Sequence, residues 1–232
     1  MNRRGTGDRG QGNLTLSPVP LFLSLVAFSL LGSAFSRLTH LDPGPIAPVT
    51  SLLTLGVGVW ATFEGYVRLV PYAWARLGGA LALGATAEVV GLATGLPFGR
   101  YAYTRAWWPT VELPVGPFPL ALPFAWLLMA GASALSVPRS FLTPFLGGLL
   151  AATVDFAMEP VMAGPLGYWR WLRPGPLPGG APVLNFFGWW AVGTIAGFLL
   201  TLGVSPMRKT EPYWVLGGFA VLILGLGLIG SG

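Results

Sequence analysis

The apolar positions of this chain gather into seven long runs separated by short polar stretches. The runs lie near residues 18–36, 46–63, 77–95, 120–135, 141–162, 184–204 and 213–229. Each has the ~20 residues that a helix needs to cross a bilayer, or slightly fewer. The pattern predicts an all-α fold, a polytopic membrane bundle of about seven transmembrane helices. In the fourth run Pro114, Pro117, Pro119 and Pro123 crowd the approach, which puts the helix after them. Residues 1–17 are polar and glycine-rich, with Arg3, Arg4 and Arg9, and read as a disordered cytoplasmic tail. Residues 18–232 then form a single helical membrane domain. Tail and first run together imitate a signal peptide, but the apolar run is long and no small-x-small site follows it, so an uncleaved span is expected.

Composition sharpens this picture. Charged residues make up only 9% of the chain and hydrophobic ones 53%, with a mean hydropathy of +0.68. Average soluble domains carry about 25% charged residues. A lack of cysteine removes disulfides, iron–sulfur clusters, thiolate metal sites and cysteine nucleophiles. The single histidine, His40, cannot build a His-rich metal or haem site alone. Lys209 falls in a polar loop, whereas a retinal-type protein needs its lysine inside a span. The net charge of +5 reads as topology and headgroup contact, not nucleic-acid binding. With the N-terminus inside, inner segments hold eight basic residues (Arg3, Arg4, Arg9, Arg68, Arg76, Arg139, Arg208, Lys209). The outer ones hold five (Arg37, Arg100, Arg105, Arg170, Arg173). The bias favours a cytoplasmic N-terminus in the cell membrane. No internal repeat is evident, which gives an inverted-repeat transporter no positive support.

Ionisable residues inside spans are costly and point to function. Three carboxyl groups lie at depth: Glu88, Asp155 and Glu159. Alternation of spans brings all three to one half of the membrane, together with Asn185, the segment 98–103, Arg37 and His40. Glu64 falls at the opposite face, where Arg68 four residues on offers a simple partner. Asp155 and Glu159 share a helix face, ~6 Å apart along the axis. Pro160 denies the Phe156 carbonyl its usual partner, so the helix should bend or end beside the two acids. Trp107, Trp108, Tyr168, Trp169, Trp171, Phe186, Phe187, Trp189 and Trp190 populate the same layer. An interfacial aromatic belt accounts for many of these, with Arg170 and Arg173 anchored at headgroups. The stretch from Asn185 to Trp190 is instead placed to line a cavity beside the acids.

Carboxyl groups, an amide and aromatic walls in an apolar cavity suit one kind of chemistry. A carboxylic acid retains its proton more readily in such surroundings than in water, which suits general acid catalysis. Tryptophan faces stabilise cations. Together they can protonate an alkene and let water capture the cation, with no metal, nucleotide or redox cofactor. A P-loop, a dinucleotide fingerprint and a Ser-His-Asp set are all missing from the sequence.

The stretches EVVGLATGLPFGRYAY (88–103), DFAMEP (155–160) and PVLNFFGW (182–189) resemble the bacterial and archaeal membrane carotenoid-biosynthesis family. That family includes carotenoid 1,2-hydratases of the gamma-carotene and bisanhydrobacterioruberin type. The resemblance implies cofactor-free addition of water to the terminal C1–C2 double bond of an acyclic carotenoid end, giving a tertiary alcohol. It places Glu88, Tyr101, Asp155, Glu159 and Asn185 at the family's polar motif positions. Asp155, Glu159 and Glu88 are thus the catalytic candidates. Asn185, Tyr101, Tyr103, Trp189 and Phe186 are the candidates for binding substrate and water. The expected partners are a carotenoid and membrane lipid. A lycopene-type cyclase or isomerase would use the same acid and quench the cation differently. A prenyltransferase would need two aspartate-rich magnesium motifs, which the sequence lacks. A transporter would make the three acids a proton or cation path, but such a path needs polar steps at both faces, and Glu64 is the only one opposite.

Overall fold

A computed structural model describes residues 17–44, 46–204 and 210–231. Residues 1–16 of the expected N-terminal tail, Arg208 and Lys209 lie outside them, and Ser17 caps the first helix. The described residues form an all-α bundle of seven helices: α1 (Pro18–Thr39), α2 (Ile46–Leu69), α3 (Ala73–Thr94), α4 (Leu122–Ser136), α5 (Thr143–Met162), α6 (Val183–Thr201) and α7 (Glu211–Ser231). All but α4 are long and apolar enough to cross a membrane, which makes this a multi-pass membrane protein. At 15 residues, α4 is about 22 Å long at 1.5 Å per residue, short of the ~30 Å hydrocarbon core. The prolines before it hold the chain in extended and turn conformations, so less of the fourth run is left for a helix.

Local chemistry sets several helix ends. The Ser17 hydroxyl accepts a hydrogen bond from the Val19 N–H at 3.4 Å, and Pro18 follows where its missing N–H costs nothing. Gly95 ends α3 at φ +84°, donating its N–H to the Gly91 carbonyl. That left-handed conformation is nearly free for glycine alone.

The closest helix pair is α5 with α6. Small residues bring the two backbones together: a Cβ at Gly193 would lie 3.0 Å from the Gly148 Cα, and one at Gly197 would lie 2.9 Å from the Pro144 Cα. Inside lipid, where hydrophobicity does not drive helices together, such close approach supplies much of the attraction. At one end of the bundle a second apolar cluster forms around Phe63, Tyr66, Leu77, Leu127 and Leu200. There the Tyr66 hydroxyl, Arg76 and Arg139 donate to the last carbonyls of α6 and the turn after it, and Arg68 pairs with Glu64 at 2.7 Å. That pair is the simple helix-end contact expected for Glu64.

The other end carries elements that the apolar pattern does not announce. Strand β1 (Tyr101–Tyr103) pairs antiparallel with β4 (Trp169–Trp171), matching Tyr101 to Trp171 and Tyr103 to Trp169. Strands β2 (Thr110–Leu113) and β3 (Gly116–Pro119) form a second hairpin. Together they cap the end of the bundle where α3 and α5 finish and α6 begins.

Candidate active site

Each carboxyl group expected at depth is buried: Glu88 is 4% exposed, Asp155 2% and Glu159 2%. They line one cavity of about 1010 Å³ together with Asn185, Tyr101, Tyr103 and Trp189. This is at the upper end of ligand-pocket volumes. The cavity extends from the acids to side chains of α1, α2 and α7, including the exposed Leu31, Phe35 and Ile46. Phe186, also expected beside the acids, is not among the lining residues. It packs its ring edge-on against Phe156 and Phe187 instead. One residue along a helix is about 100° of rotation, so Asn185 and Trp189, four apart, share the face toward the cavity, and Phe186 does not.

The carboxyl groups fall into two centres. At the first, Glu88 Oε2 accepts the hydroxyls of Tyr101 (2.6 Å) and Tyr103 (2.8 Å), and Oε1 accepts the indole N–H of Trp126 (2.6 Å). Burial and then the field of Glu88 raise the pKa of both phenols, so they remain donors. Trp126 has access to Glu88 because α3 offers no side chain at Gly84, one turn earlier. A Cβ there would lie 2.7 Å from the Trp126 Cγ.

At the second centre, Asn185 Nδ2 donates to Asp155 Oδ2 (2.6 Å) and to Glu159 Oε1 (3.0 Å). An amide facing two carboxyl groups must present its nitrogen to both if both oxygens accept. Glu159 Oε2 accepts the indole N–H groups of Trp169 and Trp171, each at 3.1 Å. Asp155 Oδ1 takes no hydrogen bond from any described residue. The pair is therefore unequal: Glu159 has N–H donors on both oxygens, and Asp155 has one oxygen free toward the cavity. Pro160 remains helical; α5 ends at Met162, and the Gly179 backbone packs against the Glu159 carbonyl.

The β1–β4 ladder explains how one short cap serves both centres. Alternate residues of a strand share a face. Tyr101 and Tyr103 on one strand, and Trp169 and Trp171 on the other, thus point inward together. Arg170, between the tryptophans, is exposed. Trp169 and Trp171 are hydrogen-bond donors of the site and not members of an interfacial belt. Their signal in the sequence is the period-two pattern of Tyr-Ala-Tyr and Trp-Arg-Trp. Trp126 carried no such signal, because it sits in a continuously apolar run.

The family whose members are described as carotenoid biosynthesis proteins matches residues 48–213, more than half of the chain. This protein belongs to that family. The matched stretch holds every residue of both carboxyl centres, while α1 and most of α7 lie outside it. No curated protein and no solved structure matches the chain. Membership supports a role in carotenoid biosynthesis, and apolar helices around a long cavity fit a carotenoid substrate in a lipid setting.

Proposed function

We propose that this carotenoid biosynthesis protein is a cofactor-independent carotenoid 1,2-hydratase, a hydro-lyase. It adds water across the terminal C1–C2 double bond of an acyclic carotenoid end and yields a tertiary alcohol. The observation that carries this reading is the inequality of the Asp155–Glu159 pair. An oxygen that accepts two indole N–H groups has no room for a proton of its own, because indole nitrogen only donates. Asp155 Oδ1, buried on the cavity wall and free of protein donors, is the atom placed to carry a transferable proton. Asp155 is thus the general acid.

The proton passes from Asp155 Oδ1 to C2 of the terminal double bond. The π electron pair forms the new C–H bond, and the positive charge settles on C1, where the tertiary centre best supports it. Water then attacks C1, forming the C–O bond. The proton that water sheds returns to the carboxylate pair, so one hydrogen and one hydroxyl are added and the enzyme is restored. Glu159 lends negative charge beside the developing cation, and Asn185 holds the two acids at fixed separation. Its carbonyl oxygen, which no described residue engages, can accept a hydrogen bond from the attacking water. Trp189, one helical turn along α6, lines the same cavity and offers an aromatic ring to the cation.

In this reading the protein lies in the cell membrane with its N-terminus cytoplasmic and the site in the outer half. A transport path is disfavoured because the cavity lining includes none of Glu64, Arg68, Arg76 or Arg139 at the other end. The deciding experiment is expression in a lycopene-producing host with pigments read by mass spectrometry. A mass gain of one water per reacted end supports hydration. An unchanged mass with altered retention means cyclisation or isomerisation and overturns it.

A further inference from the structure

The hydratase reading leaves Glu88 without a task. Both of its oxygens are engaged, Oε2 by two hydroxyl groups and Oε1 by an indole N–H. Three donors converge on its two oxygens, a set of hydrogen bonds that favours the carboxylate form of Glu88. Yet a buried negative charge in a membrane bundle is expensive, and its surroundings are built to keep it.

Tyr101 and Tyr103 pack against Trp171 and Trp169, and the third partner, Trp126, leads to α6. The Trp126 ring, bonded to Glu88 through Nε1, stacks on Trp189 with centroids 3.7 Å apart and planes 13° from parallel. Trp189 follows Asn185 by one turn of α6, and Asn185 bridges Asp155 and Glu159. A path from Glu88 to the helix turn that carries Asn185 therefore runs through two stacked indoles. The approach is tight along its length: Gly84 admits Trp126, and Phe98 packs on the ring of Trp126 with centroids 5.6 Å apart. Hydrogen bonding of an indole N–H to a carboxylate pushes electron density into the ring, which makes its face, and that of a ring stacked on it, more attractive to a cation.

We infer that Glu88 and Trp126 form a charged positioning unit that acts on the substrate through the Trp189 face and determines whether the cation survives until water captures it. This inference rests on the hydratase reading and adds to it a residue, Trp126, and a role for Glu88 distinct from acid–base catalysis. A desolvated cation over tryptophan is stabilised by about 2 kcal/mol, which corresponds to roughly 10- to 30-fold in rate. A cation that is less well held loses a proton from a neighbouring carbon before water reaches it. The product is then an isomeric alkene of unchanged mass. The proton lost returns to the acid pair, so that outcome also balances.

The test compares wild type, Glu88→Gln, Trp126→Phe, the double variant and Trp189→Leu, purified in detergent and supplied with lycopene in deuterated water. Trp126→Phe keeps an aromatic ring and removes the N–H. Each single variant is expected to lower kcat about 10- to 30-fold with little change in KM, and to shift product from the water adduct toward isomers that carry deuterium. The double variant should be no worse than the weaker single one, because both changes break one unit. A purely structural role would reduce folded protein and leave the product ratio alone. Should Glu88→Gln fail to accumulate, Trp126→Phe carries the test by itself. A wild-type product ratio in Trp126→Phe, additive effects in the double variant, or loss of all deuterium incorporation in Glu88→Gln would each overturn the inference. If wild type gives no water adduct, the hydratase reading fails and this inference fails with it. An active wild type with unaffected variants sinks the inference alone.

Discussion

Replacing Asp155 by asparagine removes one proton from the site and very little else. The side chain is 2% exposed and makes a single hydrogen bond, accepted from Asn185 Nδ2 at 2.6 Å. The amide oxygen of the variant can accept that same bond. A bond to a charged group contributes about 1.5–3 kcal/mol and a neutral one about 0.5–1.5. Asp155 holds a proton in this mechanism, so the bond from Asn185 meets a neutral acceptor in both proteins, and the exchange costs less than about 1 kcal/mol. The variant should insert, fold and bind carotenoid. Its rate should fall by about 10²–10⁴, the usual contribution of a general acid, or roughly 3–5 kcal/mol of barrier. The assay is the initial rate of water-adduct formation from lycopene, normalised to folded protein, with deuterium incorporation from deuterated water as a separate count of proton transfers. Both readouts should fall together. Near wild-type hydration by a normally expressed Asp155→Asn protein would refute the assignment of Asp155 as the acid, and the same result in Glu159→Gln as well would make the pair structural.

Other variants separate the site from its surroundings. Glu159→Gln sets an amide N–H against either the paired indoles or Asn185, all of them donors. It should cost about 1–3 kcal/mol and melt below Asp155→Asn in a thermal shift assay, as well as losing activity; equal melting would show that Asn185 reorients freely. Gly84→Ala drives a methyl group to 2.7 Å from the Trp126 Cγ, so it should destabilise the fold by about 1–3 kcal/mol and weaken activity, whereas a neutral result would mean that α3 and α4 part easily. Glu64→Gln breaks an exposed ion pair on the far face and should change stability by less than about 1 kcal/mol with hydration rates near wild type; a large loss of rate would revive a transmembrane proton path. Among the described residues no group of three His, Asp or Glu side chains is placed to hold a metal ion, so a chelator should leave turnover unchanged, and loss restored by a divalent ion would overturn the metal-free mechanism.

The membrane character of this chain, its helices and the half of the bundle that holds its acids are properties of sequence alone. They follow from one-dimensional facts: the length of apolar runs against the thickness of a bilayer, and the parity of crossings that carries Glu88, Asp155 and Glu159 to the same end. The spacing of Asp155, Glu159, Asn185 and Trp189 likewise fixes shared helix faces. The inward aim of Tyr101, Tyr103, Trp169 and Trp171 depended on the pairing of strands more than sixty residues apart, although each strand carries its own period-two signal. That cap turned two tryptophans that resembled a lipid-facing belt into donors for Glu159. Tertiary structure alone decided that Asp155 and Glu159 differ, since their inequality lies in which side chains from β4 and α6 reach each oxygen. It also decided that Trp126 meets Glu88, because the residue at Gly84 is small and α3 and α4 cross there. Such contacts depend on how closely two backbones approach, and a hydropathy pattern records which face of a helix is apolar but not which neighbour presses against it.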